Sequence, residues 1–149
     1  MTRLFRRPAR ALLPLAAALA LFGAAPAAHA QSSLSSVAGS VAGAWGQGDA
    51  DAVARLLSSG GVALHLLDQS QPAAGVRQAR AALQELLSGR GSARLMKVEE
   101  LGGAPARGFA ELQWEVAEPG SPQGLRYVVF LGFVSEAEGW RIAEVRVLR

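Results

Sequence analysis

The sequence predicts an α+β domain, with helices in its first half packed on one face of an antiparallel sheet formed mostly by its second. Three observations carry this reading. Apolar residues recur every three or four positions in separate segments between residues 34 and 87, the period of an amphipathic helix. From about residue 94 the pattern changes to short β-rich runs separated by Gly- and Pro-containing turns. The resulting order is helix, helix, strand, helix and then four strands, and such a segregated order favours helices on one side of a meander over a βαβ alternation.

Each element can be justified in turn. Ser-rich QSSLSSVAGS offers N-capping side chains, and Leu34, Val37, Val41 and Trp45 then form one helical stripe. Gly46-Gln47-Gly48 ends that helix. Asp49 is placed to cap a second, shorter one carrying Val53, Leu56 and Leu57, which Gly60-Gly61 stops. GVALHLLD is a compact strand, and the Gln/Ser/Pro stretch after it reads as a loop. A third helix follows, with Val76, Ala79, Leu83, Leu86 and Leu87 on its apolar face. RLMKVEELG, RGFAELQWEVA, LRYVVFLGFVS and WRIAEVRVLR are the four late strands. In the second of these Ala110, Leu112, Trp114 and Val116 alternate with Phe109, Glu111, Gln113 and Glu115, so one face is buried and the other wet. The third is apolar on both faces, which suits a central strand covered on both sides.

Residues 1–30 read as a secretory signal. Arg3, Arg6, Arg7 and Arg10 form a positive start, Ala11 to Ala25 an Ala/Leu-rich middle, and Ala28-His29-Ala30 the small-x-small pattern that signal peptidase accepts. Pro14 and Pro26 interrupt the apolar stretch, which falls short of the roughly 20 residues of a membrane span. Cleavage after Ala30 would leave residues 31–149 as a single periplasmic or secreted domain with no membrane association. That mature part holds eleven basic and twelve acidic residues, so the basic balance of the whole chain belongs to the leader. No run of Lys/Arg survives to track phosphates, and no nucleic acid is expected as a partner. With no cysteine in the chain, neither disulfides, thiol chemistry nor a lipid anchor on cysteine is available.

The turn Trp45, Gly48, Asp49, the following DAVARLLSSGGVAL, the Ala/Leu-rich third helix and the closing Gly139-Trp140-Arg141-Ile142 together resemble the nuclear transport factor 2-like superfamily. The resemblance spans the mature chain from about Leu34 to Arg149. It implies a cone: three helices packed on a strongly curved antiparallel sheet, a pocket at the open end, and a homodimer formed through the sheet. It also implies a place for catalytic Asp, His or Tyr inside the cone, as in the ketosteroid isomerase-like and polyketide cyclase-like enzymes.

The residues themselves supply no convincing catalytic set. His65 is the sole histidine beyond the leader, and a lone imidazole builds no metal site. Asp68, three positions along the same strand, should point away from it. Glu111, Gln113 and Glu115 share a strand face, with successive side chains roughly 7 Å apart, and read as a hydrated surface. Trp114, Tyr127 and Trp140 lie on strands that the meander would make neighbours, and such rings either fill a core or line an apolar pocket. Arg80 falls beside the stripe of the third helix, at a pocket rim or in solvent. The sequence therefore points to an exported, non-catalytic domain without metal or cofactor that binds a small apolar molecule or another protein. His65, Trp114 and Tyr127 are its candidate ligand contacts. A small isomerase- or cyclase-type enzyme using a pocket acid or Tyr127 is the alternative, and a structural accessory of the cell envelope the third reading.

Overall fold

A computed structural model describes residues 32–89 and 91–149. The leader expected over residues 1–30 lies outside the described residues. The chain forms α1 (Leu34–Gly46), α2 (Ala50–Ala54), β1 (Val62–Leu66), β2 (Gln69–Ala74), α3 (Val76–Leu86), β3 (Gly91–Gly103), β4 (Ala106–Glu118), β5 (Ser121–Glu136) and β6 (Gly139–Leu148). The six strands make one sheet in the order β2-β1-β6-β5-β4-β3.

Local chemistry sets the helices. Ser33 caps α1, its hydroxyl accepting from the Ser36 N–H at 3.2 Å, and Leu34, Ala38, Val41, Ala42 and Trp45 make the buried stripe. Asp49 caps α2 as the sequence predicts, accepting from the Ala52 N–H at 2.9 Å. The second helix is shorter than its apolar spacing implies. After Ala54 the backbone turns to β6, where Ile142 N–H donates to the Leu56 carbonyl at 2.7 Å and Ser58 N–H to the Ile142 carbonyl at 2.8 Å. Leu57 is thus buried by strand-like pairing rather than by a helix. On α3 the buried residues are Ala79 and Leu83, with Leu87 just beyond; Val76 in the first turn is exposed, outside the stripe the sequence assigns it to.

The Gln/Ser/Pro stretch is an edge strand, β2, and not a loop. It pairs antiparallel with β1, and Pro72 falls within the register shift between the Leu64↔Gln71 and Val62↔Ala74 pairs, where no ladder N–H is required of it. The late strands follow the sequence expectation in place and order. Their pairing is antiparallel, and β1 also joins β6 in parallel, so the sheet is mixed at that one joint. Register shifts in the β3/β4, β4/β5 and β5/β6 ladders bend the strands, and the sheet curves without closing.

All three helices lie on the concave face. Two glycines let α1 approach the sheet at its ends. A Cβ on Gly108 would run into the Leu34 methyl and lie 2.8 Å from the Glu99 carbonyl, and one on Gly46 would stand 2.8 Å from the Ala93 nitrogen. Beneath the helices the inward residues of β4, β5 and β6, including Leu112, Leu131 and Val145, form the buried core. Helices therefore cover β5 on one side. Tyr127, Val129, Leu131 and Phe133 are buried, but Val128, Phe130 and Val134 on the convex side are half-buried, so the both-sided cover expected of this strand is absent among the described residues.

Candidate functional site

Trp114 and Tyr127 come together inside the cone. They are direct cross-strand partners, with ring centroids 5.2 Å apart and planes tilted by 36°. Their exposures are 3% and 8%, so both rings are packed. The third ring of the cluster is Trp45 from the last turn of α1, edge to face with Trp114. Sequence reasoning had Trp45 on the core stripe but not in this cluster; its position four residues past Val41, at the end of the helix, was the available signal. The Trp45 indole N–H is buried without a hydrogen-bond partner among the described residues.

Trp140 is not part of this group. It pairs with Ser135, eight positions along β5 from Tyr127, roughly 26 Å away by the strand rise, and packs half-buried at the other end of the core. His65 is separated too. Val62, Leu64 and Leu66 point inward, which turns Ala63 and His65 to the convex face, where His65 stands between Ser70 and Arg146. Its Nδ1 and the Ser70 Oγ share a hydrogen bond of 2.9 Å. Of the three candidate ligand contacts, the fold unites Trp114 and Tyr127 and places His65 on the opposite side of the sheet.

Ionisable chemistry is peripheral. Ser58 is the one buried polar residue among the described residues, donating to Glu136 Oε1 at 2.5 Å and accepting from the Gly60 N–H at 3.3 Å. A polar cleft of about 580 Å³ runs between the α1–α2 turn and the end of α3, lined by Asp49, Asp51, Gln84 and Ser88 among others. Four of its polar side chains are engaged within the chain: Asp49 caps α2, Ser88 donates to the Glu85 carbonyl, and Asp51 accepts from Arg80 Nε at 2.8 Å and Gln84 Nε2 at 3.1 Å. The Arg80 guanidinium holds the Asp51 carboxyl below its ordinary value. Arg80 thus binds α3 to α2 instead of standing free. No group of three metal-ligating side chains occurs among the described residues.

The convex face is the remaining surface with a definite character. Glu111 and Gln113 do lie there as the alternation predicts, and Arg126 reaches the Glu115 carboxylate at 3.0 Å. Between these charges sit the half-buried rings and methyls of Phe109, Val128, Phe130 and Val134 and the exposed Leu148. Lys97 lies 5.0 Å over the Phe109 ring.

Three helices in the concavity of a curved, unclosed sheet are the nuclear transport factor 2-like fold, and solved structures agree. The chain is similar to a DUF4783 family protein from Bacteroides uniformis at 18% identity, over 73% of this chain and 93% of that one, with a TM-score of 0.62. It is equally similar to Rd1NTF2_04 with long sheet, a designed protein of this fold, at 15% identity over 78% of this chain and all of that one, TM-score 0.62. A cystatin-fold protein from Novosphingobium aromaticivorans matches at 14% identity over 75% and 94% of the two chains, TM-score 0.53. Identities this low establish the fold alone. No family model matches the chain, and no curated protein matches it.

Proposed function

We propose that this chain is an exported, non-catalytic protein-docking domain whose working surface is the convex face of its sheet. The observation that carries the reading is the uncovered outer side of β5. Val128, Phe130 and Val134 stay half-buried beside Phe109 and Leu148, an apolar surface that a solitary domain gains nothing by exposing. Among the described residues the cone interior offers no comparable site. Its space is taken by Trp45, Trp114 and Tyr127, and the inward residues of α1 and of β4 to β6 are apolar. Proton transfer of the isomerase type needs an ionisable group there. A small apolar ligand could reach Trp114 and Tyr127 only by opening the ring cluster. Export rests on the charged start, apolar middle and Ala28-His29-Ala30 of the leader.

The test places a photo-reactive benzoylphenylalanine at Val128 in cells expressing the full chain, with Arg77 on the solvent side of α3 as control. Discrete cross-linked bands from position 128 and none from 77, on protein whose intact mass begins at Gln31, are the expected result. Equal labelling at the two positions would overturn the docking surface. An intact mass retaining the first thirty residues would overturn export.

A further inference from the structure

Two bulges decide what the edge strand β3 shows on the convex face. Leu95 pairs with Leu112 and Val98 with Ala110, and both Leu95 and Val98 pack on the core. They stand three positions apart, a spacing that a regular strand would split between its two faces. The register shift between Leu95 and Lys97 absorbs the difference: Met96 and Lys97 together oppose Glu111, and both turn outward. A second shift, between Glu100 and Gly102, sets Leu101 beside Gly102 opposite Arg107 in the same way. Leu101 there lines a hollow of about 460 Å³ with Phe109 and Val134. Each bulge thus adds one apolar side chain to the outer surface, Met96 being 53% exposed and Leu101 60%.

Met96 is the one methionine after Met1, and the chain has no cysteine, so its thioether is the sole sulfur of residues 31–149. An accessible thioether is a target for two-electron oxidants, and no thiol of this chain competes for them. Resting on the docking reading above, we propose that Met96 is a reversible oxidation site through which a peroxide weakens docking at the convex face. In the undocked chain a sulfur lone pair attacks one oxygen of hydrogen peroxide. The O–O bond breaks, an S–O bond forms, and the departing hydroxide takes the proton left on the transferred oxygen and leaves as water. Sulfur gives up two electrons and the peroxide gains them. The product sets a strongly dipolar S–O group where Leu101, Phe109 and Phe130 make the outer surface apolar. An apolar partner seated there strips water from that group and returns no hydrogen bond. Docking covers the thioether and oxidation opposes docking, so each disfavours the other by the same factor. A methionine sulfoxide reductase restores the thioether with an external dithiol, which becomes a disulfide as the oxygen leaves as water.

Benzoylphenylalanine at position 128 reads docking, and intact mass with peptide mapping reads the sulfur, so the two fail separately. Cells expressing the full chain are treated with hydrogen peroxide before irradiation, with Met96→Leu and Met96→Gln variants alongside. The oxidant should add one oxygen, mapped to Met96, and lower the cross-links from position 128 at least about fivefold. Met96→Leu keeps the apolar bulk without the sulfur and should cross-link equally with and without peroxide. Met96→Gln, similar in length and polar like the sulfoxide, should cross-link weakly with no oxidant present. Circular dichroism and thermal melting of the oxidised chain and of Met96→Gln establish that each is folded. If peroxide converts a free methionyl peptide but leaves Met96 of the purified chain intact, the modification site is overturned. An oxidised chain that cross-links as well as the untreated one overturns the switch and leaves docking standing. A Met96→Leu chain that loses its cross-links on treatment puts the oxidant's target on the partner and overturns it too. Untreated cells with no cross-links from position 128 would end the docking reading, and the switch with it, whatever the mass shows.

Discussion

The indole of Trp45 meets that of Trp114 edge to face, centroids 5.8 Å apart and planes at 88°, which fixes the last turn of α1 against β4. Trp114 also stacks on Tyr127, so one ring joins a helix to two strands.

Replacing that ring should be costly. Trp114→Ala removes a fully packed indole and should lower stability by about 3–5 kcal/mol in denaturant unfolding. Trp140→Ala should cost distinctly less, since Trp140 is half-buried and lies at the far end of β5. Equal losses at the two positions would contradict the separation of the two tryptophans along the core.

Asp51 gives a pH signature. Its carboxyl is held below its ordinary value first by the hydrogen bond from Arg80, with desolvation opposing, and further by that guanidinium's charge and by Gln84. A depressed carboxylate stabilises the fold above its unfolded value, and the contribution is lost as pH falls through the lower folded value. Carbon-detected titration of the wild-type chain should therefore place Asp51 below the usual carboxylate range, and Arg80→Gln should return it toward that range. Both groups are about half exposed, so the effect on stability is small and shrinks with salt. An unmoved Asp51 titration in Arg80→Gln would rule out this pairing in solution.

Much of the fold was legible because burial leaves a period. Leu34, Val41 and Trp45 mark one face of α1, and Ala110, Leu112 and Trp114 mark one face of β4, wherever a single side meets the core. Where pairing is by backbone alone the period vanishes. Gln69 to Ala74 is a strand because β1 supplies its ladder, yet its side chains are mostly exposed and alternate in nothing. The parallel joint of β1 to β6 depends on a contact some eighty residues away in sequence. Site geometry was the least legible part. That His65 faces away from Trp114 follows from which side of β1 the helices cover, and the neighbours of Phe109 and Phe130 on the convex face follow from turns and bulges that set register.

The Ser58 tether joins the segment after α2 to the end of β5. Glu136→Ala should leave the buried hydroxyl without its acceptor and cost about 1–3 kcal/mol. Adding Ser58→Ala to that variant should cost less than Ser58→Ala costs in the wild-type chain, because the orphaned donor is then gone and only the Gly60 N–H loses its acceptor. Strict additivity of the two losses in a double-mutant cycle would show that the hydroxyl and carboxylate are not coupled.

Glycines of α1 and its seat should divide by what lies beyond their missing Cβ. Gly39 and Gly43 sit on the exposed side of α1, and a methyl added at either would have nothing within 4 Å. Alanine there lowers the entropy of the unfolded chain and adds helix propensity, so each substitution should raise stability by about 0.5–1 kcal/mol. Gly46 and Gly108 have backbone in the way: the Ala93 nitrogen at 2.8 Å and the Glu99 carbonyl at 2.8 Å, with Leu34 also against Gly108. Neither backbone atom is a flexible side-chain end: at Gly46 α1 must lift from β3 to admit the methyl, and at Gly108 the β3–β4 pairing must give while Leu34 moves aside. Alanine at either position should lower stability by about 1–3 kcal/mol, as overpacking does, although Gly46 too lies within the helix and would gain from propensity alone. Chemical denaturation of the four single variants reads the contrast directly. If Gly46→Ala proved as stabilising as Gly43→Ala, the close approach of α1 to β3 at that end, and with it the placing of Trp45 over Trp114, would be wrong.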